Sequence, residues 1–96
     1  MILYDFALAP SPRRTRILLA EKGIAVTNVQ VDLTKGEQLS PAFRAINPCC
    51  TVPALQLEDG TVLNQNVAIA LYLEDTHPEP PMFGTTAVER AVVMNW

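Results

Sequence analysis

Two strand-like segments separated by a helix-like segment occupy the first 32 residues, and their spacing restricts the fold more than any other feature of the sequence. Residues 2–6 are apolar and rich in β-forming side chains, and residues 26–32 carry β-branched residues in near alternation. Residues 13–22, between them, have the apolar spacing of a helix. Strand, helix and strand at this distance predict a βαβ unit with parallel strands and a right-handed crossover.

The ends of this first helix carry specific signals. Ser11 is predicted to be its N-cap, with Pro12 as the first helical residue, and Gly23 to end it in the left-handed conformation. The Ser11 hydroxyl also has a functional interpretation, because free N–H groups and the helix dipole at this end favour an anion such as a thiolate. The sequence leaves both interpretations of Ser11 open.

The remaining segments complete one small domain. Residues 34–38 predict a polar loop, and residues 40–46 a short helix that opens with a cap followed by proline. Residues 52–57 and 61–63 flank an Asp-Gly turn, which predicts an antiparallel hairpin. Residues 66–75 predict a third helix that is apolar around most of its circumference, so we expect it to be well buried.

The order β-α-β-α-β-β-α predicts an α/β fold with a four-stranded mixed sheet, the thioredoxin-like arrangement, over residues 1–77. Residues 78–85 include the one proline-rich stretch and are interpreted as a stiff linker. Residues 86–96 predict a further amphipathic helix, capped by Thr85 or Thr86. This last helix does not fit into the α/β domain.

Charge and composition exclude several classes of function. Seven Lys+Arg against ten Asp+Glu give a net charge of −3, which offers no broad positive field to a phosphate backbone, so nucleic acid is not an expected partner. No apolar run approaches the roughly 20 residues of a membrane span, and no signal peptide pattern is present. We therefore expect a cytoplasmic protein that does not contact a membrane.

The two cysteines are adjacent, which excludes a disulfide framework or a structural zinc site. Cys49 and Cys50 are interpreted either as reduced, space-filling residues or as a functional thiol pair. The lone histidine, His77, lies beside the linker and is interpreted as structural. No metal is therefore expected.

Three polar clusters flank the predicted elements, in residues 9–14, 51–53 and 64–66. In the second cluster, Pro53 lies directly before a strand, which suggests an edge position or a cis peptide. The third cluster places three amide side chains at the start of a helix, where a single N-cap residue would suffice. In a βαβ…ββα fold the three clusters converge at one end of the sheet, which predicts a binding site there.

The chain resembles the N-terminal thioredoxin-like domain of cytosolic glutathione S-transferases over nearly its whole length. The matching stretches are residues 11–24, Asn47-Pro48 followed by Val52-Pro53-Ala54-Leu55, Asp59-Gly60-Thr61, and Val67-Ala68-Ile69 followed by Tyr72-Leu73. Residues 89–96 also resemble the opening of the all-helical second domain of that family. The resemblance thus implies that the chain is the glutathione-binding part of a longer two-domain protein, with Val92, Val93 and Trp96 lacking their packing partners.

The resemblance implies a set of glutathione-binding residues. Pro53 is the cis-proline, and the main chain of Val52 pairs with the cysteinyl group of glutathione. Gln38 approaches the glycine carboxylate, with Thr51 nearby. At the γ-glutamyl end, Gln65 and Asn66 replace the Glu-Ser pair of most members, which retains hydrogen bonding but removes a charge.

The catalytic position follows from the same alignment. The serine of serine-type classes falls on Ala9, whereas the cysteine of the bacterial cysteine-type class falls on Ser11. Ser11 is therefore the candidate that hydrogen-bonds the thiolate. Tyr4 is a second hydroxyl near the site, or a core residue of a central strand.

The implied function is a glutathione S-transferase that uses glutathione as co-substrate and conjugates or reduces a small, hydrophobic electrophile, as a homodimer. A glutaredoxin-type oxidoreductase requires a cysteine at the start of the first helix, where Ser11 stands. A non-catalytic, transferase-like interaction or stress-response module remains the alternative, because Ala9, Gln65 and Asn66 depart from the family pattern.

Overall fold

A four-stranded mixed sheet with helices on both faces forms the centre of the protein. The computed structural model describes residues 1–95. The elements in chain order are β1 (Ile2–Asp5), α1 (Pro10–Glu21), β2 (Thr27–Gln30), two short 3-10 turns (Leu33–Lys35 and Glu37–Leu39), α2 (Pro41–Ile46), β3 (Ala54–Gln56), β4 (Val62–Leu63), α3 (Asn66–Thr76) and α4 (Ala87–Met94). This order confirms the predicted α/β, thioredoxin-like fold.

The sheet has the strand order β2-β1-β3-β4. Strand β1 pairs in parallel with β2 and antiparallel with β3, and β3 pairs antiparallel with β4. The predicted βαβ unit and hairpin are therefore confirmed. Because β3 is a central strand, Pro53 does not precede an edge strand; it stands one residue before the first paired residue, Ala54.

The alternation of side chains along β1 and β3 gives the sheet an apolar layer on each face. Leu3 and Leu55 pack with leucines of α1 and with α3, whereas Tyr4 and Ala54 pack on the opposite face with Phe43 of α2. Helices α1 and α3 thus share one side of the sheet, and α2 covers the other.

Helix α1 begins earlier than the sequence indicated. Its N-cap is Ala9 and Pro10 is its first residue, so the expected N-cap role of Ser11 is wrong. Pro10 suits the first helical position as well as Pro12 would, since its fixed φ is already helical. The C-terminal prediction is confirmed, because Gly23 follows the helix with φ 64°.

Two further predictions need correction. Residues 34–38 are not an irregular loop but lie largely in the two 3-10 turns. Helix α3 is buried on one side only: Ile69 and Leu73 are inaccessible, whereas Val67 and Leu71 are 60% and 49% exposed. The sheet and α1 therefore cover only part of the apolar surface of α3.

A buried ion pair fixes the segment after α3. Lys22 Nζ lies 2.7 Å from Glu74 Oε1, and both side chains are almost inaccessible. Lys22 also donates to the carbonyl oxygens of His77 and Pro80, while Glu74 accepts from the main-chain N–H groups of Met82 and Phe83. The proline-rich segment is thus anchored to α1 and α3 and is not merely a spacer.

Helix α4 follows this segment, and one of its two predicted N-caps is confirmed. Thr86 is the N-cap and accepts from the N–H of Glu89. The helix contributes no buried residue; Val92 is 52% exposed and Val93 is half-buried. The expectation for Trp96 lies outside the described residues. No helix within residues 1–95 combines the length and hydrophobicity that crossing a bilayer requires.

Candidate functional site

The loop between β1 and α1 is held in one conformation by a buried carboxylate. Asp5, at the end of β1, is 1% exposed and lies 2.5 Å from Arg16 Nη1. Arg16 also donates to the carbonyl oxygens of Phe6 and Ala7. Because Arg16 belongs to α1, these contacts fix the strand end and the helix start relative to each other. Ser11, in the first turn of α1, is positioned by them.

Ser11 and Asn66 are in direct contact. Asn66 Nδ2 lies 3.1 Å from Ser11 Oγ and 3.0 Å from Ser11 O, so the amide donates to the first turn of α1. Asn66 Oδ1 accepts from Thr15 Oγ1 at 2.8 Å, and Thr15 is 2% exposed. The amide plane of Asn66 is fixed by these contacts. Since Ser11 Oγ accepts here, its own hydrogen is free to be donated elsewhere.

A second polar group is centred on Asn47, which follows α2 and is fully inaccessible. Its Nδ2 donates to the carbonyl oxygen of Thr51 at 2.8 Å, and its Oδ1 accepts from the N–H of Cys49 and from Asn64 Nδ2. The loop of residues 47–51 is therefore closed around one amide. This group fixes the main chain that leads into Val52 and Pro53.

Val52 presents unpaired main-chain groups at the end of this loop. Within residues 1–95, neither its N–H nor its C=O takes part in a hydrogen bond. The Val52–Pro53 peptide bond is cis, and the side chains of both residues are buried. The apolar side chain of Val52 packs against Tyr4 and Phe43, so its main chain is held in place while its polar groups stay available.

The start of α3 joins the two polar groups. Asn64 contacts the Asn47 group, and Asn66 contacts Ser11 and Thr15. Ser11 of the first cluster thus contacts Asn66 of the third directly, and Thr51 of the second cluster is linked to Asn64 of the third through Asn47. A hydroxyl, main-chain groups and amides that are linked in this way suit a peptide-like ligand.

Two of the expected binding residues make no such contact. Gln65 is exposed, and its side chain forms no hydrogen bond in the described part of the chain. Gln38 lies in the second 3-10 turn, and its Oε1 is buried without a hydrogen-bond partner among residues 1–95. Both side chains therefore retain hydrogen-bonding capacity that the protein itself does not use.

The other polar side chains considered in the sequence are in structural positions. Tyr4 is a buried core residue, and its hydroxyl donates to Gln56 Oε1 at 3.0 Å. His77 caps the end of α3, where its Nδ1 lies 2.9 Å from Thr76 Oγ1. Over residues 1–95, no three His, Cys, Asp or Glu side chains are grouped to hold a metal ion.

The contacts of Thr15 and Asn47 were not found by sequence reasoning. Thr15 lies within the helix predicted over residues 13–22, and Asn47 directly follows the helix predicted over residues 40–46. Both are small polar residues at positions that become inaccessible, and no periodic pattern distinguishes such residues from exposed ones. A signal did exist for Asn47, because an asparagine after a helix and before proline favours side-chain contacts to the local main chain.

A cavity of about 490 Å³ lies beside Asn66, between α1 and α3. Arg14, Thr15 and Asn66 provide its polar wall, while Val67, Met82, Phe83 and other apolar residues line the remainder. Its volume is within the range of small-molecule sites. Asn66, which lines this cavity, also contacts the Ser11 hydroxyl, so the cavity is one residue away from Ser11.

Known proteins resemble this chain over most of its length. A family model described as "Glutathione S-transferase, N-terminal domain" matches residues 9–76. Glutathione S-transferase 2 of Saccharomyces cerevisiae is 41% identical over 95 residues, which are 97% of this chain and 41% of that protein. This chain therefore spans less than half the length of that relative.

Solved structures give the same result. The crystal structure of a glutathione S-transferase domain-containing protein from Marinobacter aquaeolei has a TM-score of 0.90 and 44% identity, with 99% of this chain and 47% of that chain covered. A maleylacetoacetate isomerase from Methylobacterium extorquens, solved with bound malonate and GSH, has a TM-score of 0.89 and 41% identity. That match covers 95% of this chain and 42% of the other.

Proposed function

The chain belongs to the glutathione S-transferase family, and from that premise we propose that it binds glutathione and activates its thiol for attack on a small electrophile, by conjugation or reduction. The contact between Ser11 Oγ and Asn66 Nδ2 at 3.1 Å carries this proposal. It joins the candidate catalytic hydroxyl to the candidate γ-glutamyl-binding helix. The relative with bound GSH supports the choice of ligand.

Ser11 is the group that stabilises the glutathione thiolate. Its Oγ already accepts from Asn66, so the hydroxyl hydrogen is directed to a second acceptor, which is the sulfur. A donor that is polarised by an accepted hydrogen bond binds an anion more strongly. The thiolate, formed by loss of a proton to solvent, is the nucleophile toward the electrophile.

The main chain of Val52 binds the cysteinyl part of glutathione. Its N–H and C=O are unpaired within residues 1–95 and precede the part of β3 that pairs with β1 and β4, so an extended peptide pairs with them as an added strand would. Thr51 and Gln38 bind the glycine carboxylate. Because a carboxylate only accepts hydrogen bonds, Gln38 approaches it through Nε2.

The γ-glutamyl end is bound by Gln65 and Asn66. The Asn66 side chain already contacts Ser11 and Thr15, so of the two side chains the exposed Gln65 amide has the greater unused capacity to bind the γ-glutamyl group. Neither side chain carries a charge, which removes the ionic partner of the γ-glutamyl amine. This feature favours the second candidate function, a non-catalytic transferase-like interaction module.

The domain organisation belongs to the same proposal. Residues 1–77 form the glutathione-binding domain, residues 78–85 the linker, and residues 86–96 the first helix of an all-helical second domain. The exposed apolar side chains of α4 support this, because Val88 is 73% and Met94 is 55% exposed. We further propose a homodimeric protein of the cytoplasm.

The test is binding and turnover of the intact protein. We expect retention on immobilised glutathione and release by free glutathione. Ser11→Ala should lower turnover of 1-chloro-2,4-dinitrobenzene at least about tenfold, since loss of one donor to a developing anion typically costs that much or more. Glutathione retention should persist in this variant.

Ser40→Ala is the matched control. Ser40 caps α2 by accepting from the N–H of Phe43 and has no hydrogen bond to Ser11 or Asn66. Its loss should reduce stability by about 1 kcal/mol and leave turnover unchanged. Retention without turnover in the wild type would support the interaction module, and failure of the intact protein to bind glutathione would remove both the ligand and the transferase reaction.

A further inference from the structure

The adjacent thiols of Cys49 and Cys50 lie outside the proposed chemistry and differ in their surroundings. Cys49 is exposed and Cys50 is half-buried. Asn64 Nδ2 lies 3.3 Å from Cys49 Sγ, so that sulfur accepts an amide hydrogen. Cys50 Sγ is instead placed to donate to the carbonyl oxygen of Pro48 at 3.5 Å. One sulfur is therefore an accessible acceptor, and the other is a thiol turned toward its own loop.

The main chain around the pair is rigid. The N–H of Cys49 donates to the inaccessible Asn47 side chain, and the N–H of Cys50 donates to the carbonyl oxygen of the same residue. Cys50 has φ 55°, a left-handed conformation that a residue with a side chain rarely adopts. It is the only such non-glycine residue within residues 1–95. The two side chains are consequently held in fixed, different directions.

We propose that the Cys49–Cys50 pair is a thiol–disulfide exchange site, in which Cys49 takes up one low-molecular-weight disulfide and Cys50 stays reduced. The Cys49 thiol loses its proton to solvent, and the thiolate attacks one sulfur of the disulfide. A new S–S bond forms to Cys49 while the original S–S bond breaks. The departing thiolate takes a proton from solvent, so one disulfide and one thiol give one mixed disulfide and one thiol.

The geometry of the pair explains why Cys50 does not displace the group bound to Cys49. The peptide bond between the two cysteines is trans, which places their Cα atoms about 3.8 Å apart. Disulfides usually need a Cα separation of about 4.4 to 6.8 Å. Attack by Cys50 on the mixed disulfide would therefore require distortion of a loop that Asn47 holds. The pair differs in this way from two cysteines that close a disulfide.

The test uses 2-hydroxyethyl disulfide with the intact protein, followed by intact-mass measurement and peptide mapping. This reagent has no peptide part, so the reaction does not depend on the proposed glutathione site, and the two proposals fail separately. We expect one hydroxyethylthio adduct per chain, located on Cys49.

Two variants test which of the two cysteines reacts. Cys50→Gly suits the left-handed conformation of that position and should form the adduct at the wild-type rate. Cys49→Ser should react at least about tenfold more slowly, because only the half-buried thiol remains. Circular dichroism checks that each variant is folded. Equal rates for the two variants, two adducts per wild-type chain, or loss of two hydrogens without an adduct would each overturn the proposal.

Discussion

Asn47 is the residue on which the loop before Val52 depends most directly. It is inaccessible, and its amide makes hydrogen bonds with Thr51, Cys49 and Asn64. An alanine there removes these bonds and leaves partly buried groups without their partners.

We expect Asn47→Ala to reduce the free energy of unfolding by about 3 kcal/mol or more, since each of the three lost hydrogen bonds is worth about 1 kcal/mol and the orphaned partners add to the cost. Urea unfolding measures this change. Asn95→Ala, at an exposed position after α4, serves as the matched control and should change the free energy by less than about 0.5 kcal/mol. A similar effect for the two variants would contradict the role of Asn47.

For single residues, the sequence predicted helix ends that depend on neighbouring residues. It did not predict side-chain contacts that depend on burial. Ser40 and Gly23 act as a cap and a left-handed helix end, as their types indicate. Ser11 was misplaced because Pro10 competes with Pro12 for the first helical position. The contacts of Thr15 and Asn47 depend on elements distant in the chain, which no single sequence pattern encodes.

At the scale of elements, the chain order of the four strands and two of their three pairings, β1 with β2 and β3 with β4, were predictable, because a βαβ unit and an Asp-Gly hairpin each allow one topology. The one-sided burial of α3 was not predictable from the sequence. A continuous apolar helix is compatible with several neighbours, and here only the Ile69 and Leu73 side meets the sheet and α1. The anchoring of the proline-rich segment was also missed, because it depends on an ion pair between two helices.

That ion pair gives a prediction for the segment after α3. Glu74→Gln leaves the inaccessible Lys22 ammonium without its counter-charge and weakens the acceptor for the N–H groups of Met82 and Phe83. We expect a loss of about 3 kcal/mol of stability, the lower end for breaking a buried pair.

Amide hydrogen exchange locates the effect. Met82 and Phe83 should exchange markedly faster in Glu74→Gln, since these amides lose a carboxylate acceptor. Asp75→Asn, at the exposed neighbouring position of α3, is the control and should leave both amides protected. Unchanged exchange in Glu74→Gln would show that the segment is held by other contacts.

On the scale of the whole molecule, the α/β part and α4 differ in how they are stabilised. The sheet and the helices packed against it hold the entire buried apolar core within residues 1–95, and α4 contributes no buried residue. The Cα radius of gyration is 14.0 Å, against about 12.5 Å expected for a compact chain of this length. The segment that Lys22 and Glu74 hold links the two parts. The charge state of this ion pair therefore affects the whole molecule.

The acid stability of the protein follows from that charge state. Burial raises the pKa of Glu74, but the hydrogen bonds from Lys22 and from the N–H groups of Phe83 and Met82 outweigh it, and the pKa lies below its ordinary value of 4.5. A carboxyl whose folded-state pKa is lowered stabilises the fold fully above its unfolded value, and this stabilisation is lost as the pH falls through the folded value. We therefore expect constant stability from pH 7 to about pH 5.5 and a progressive loss below pH 4.5.

Urea midpoints measured across this range test the expectation. Asp32 and Asp59 also have a lowered pKa, through hydrogen bonds from Thr34 and Thr61, and they contribute in the same direction. Glu74→Gln should therefore keep part of the acid dependence and lose the remainder. If the urea midpoint of Glu74→Gln fell with pH as steeply as that of the wild type, the Lys22–Glu74 pair would not be the source of the acid dependence of stability.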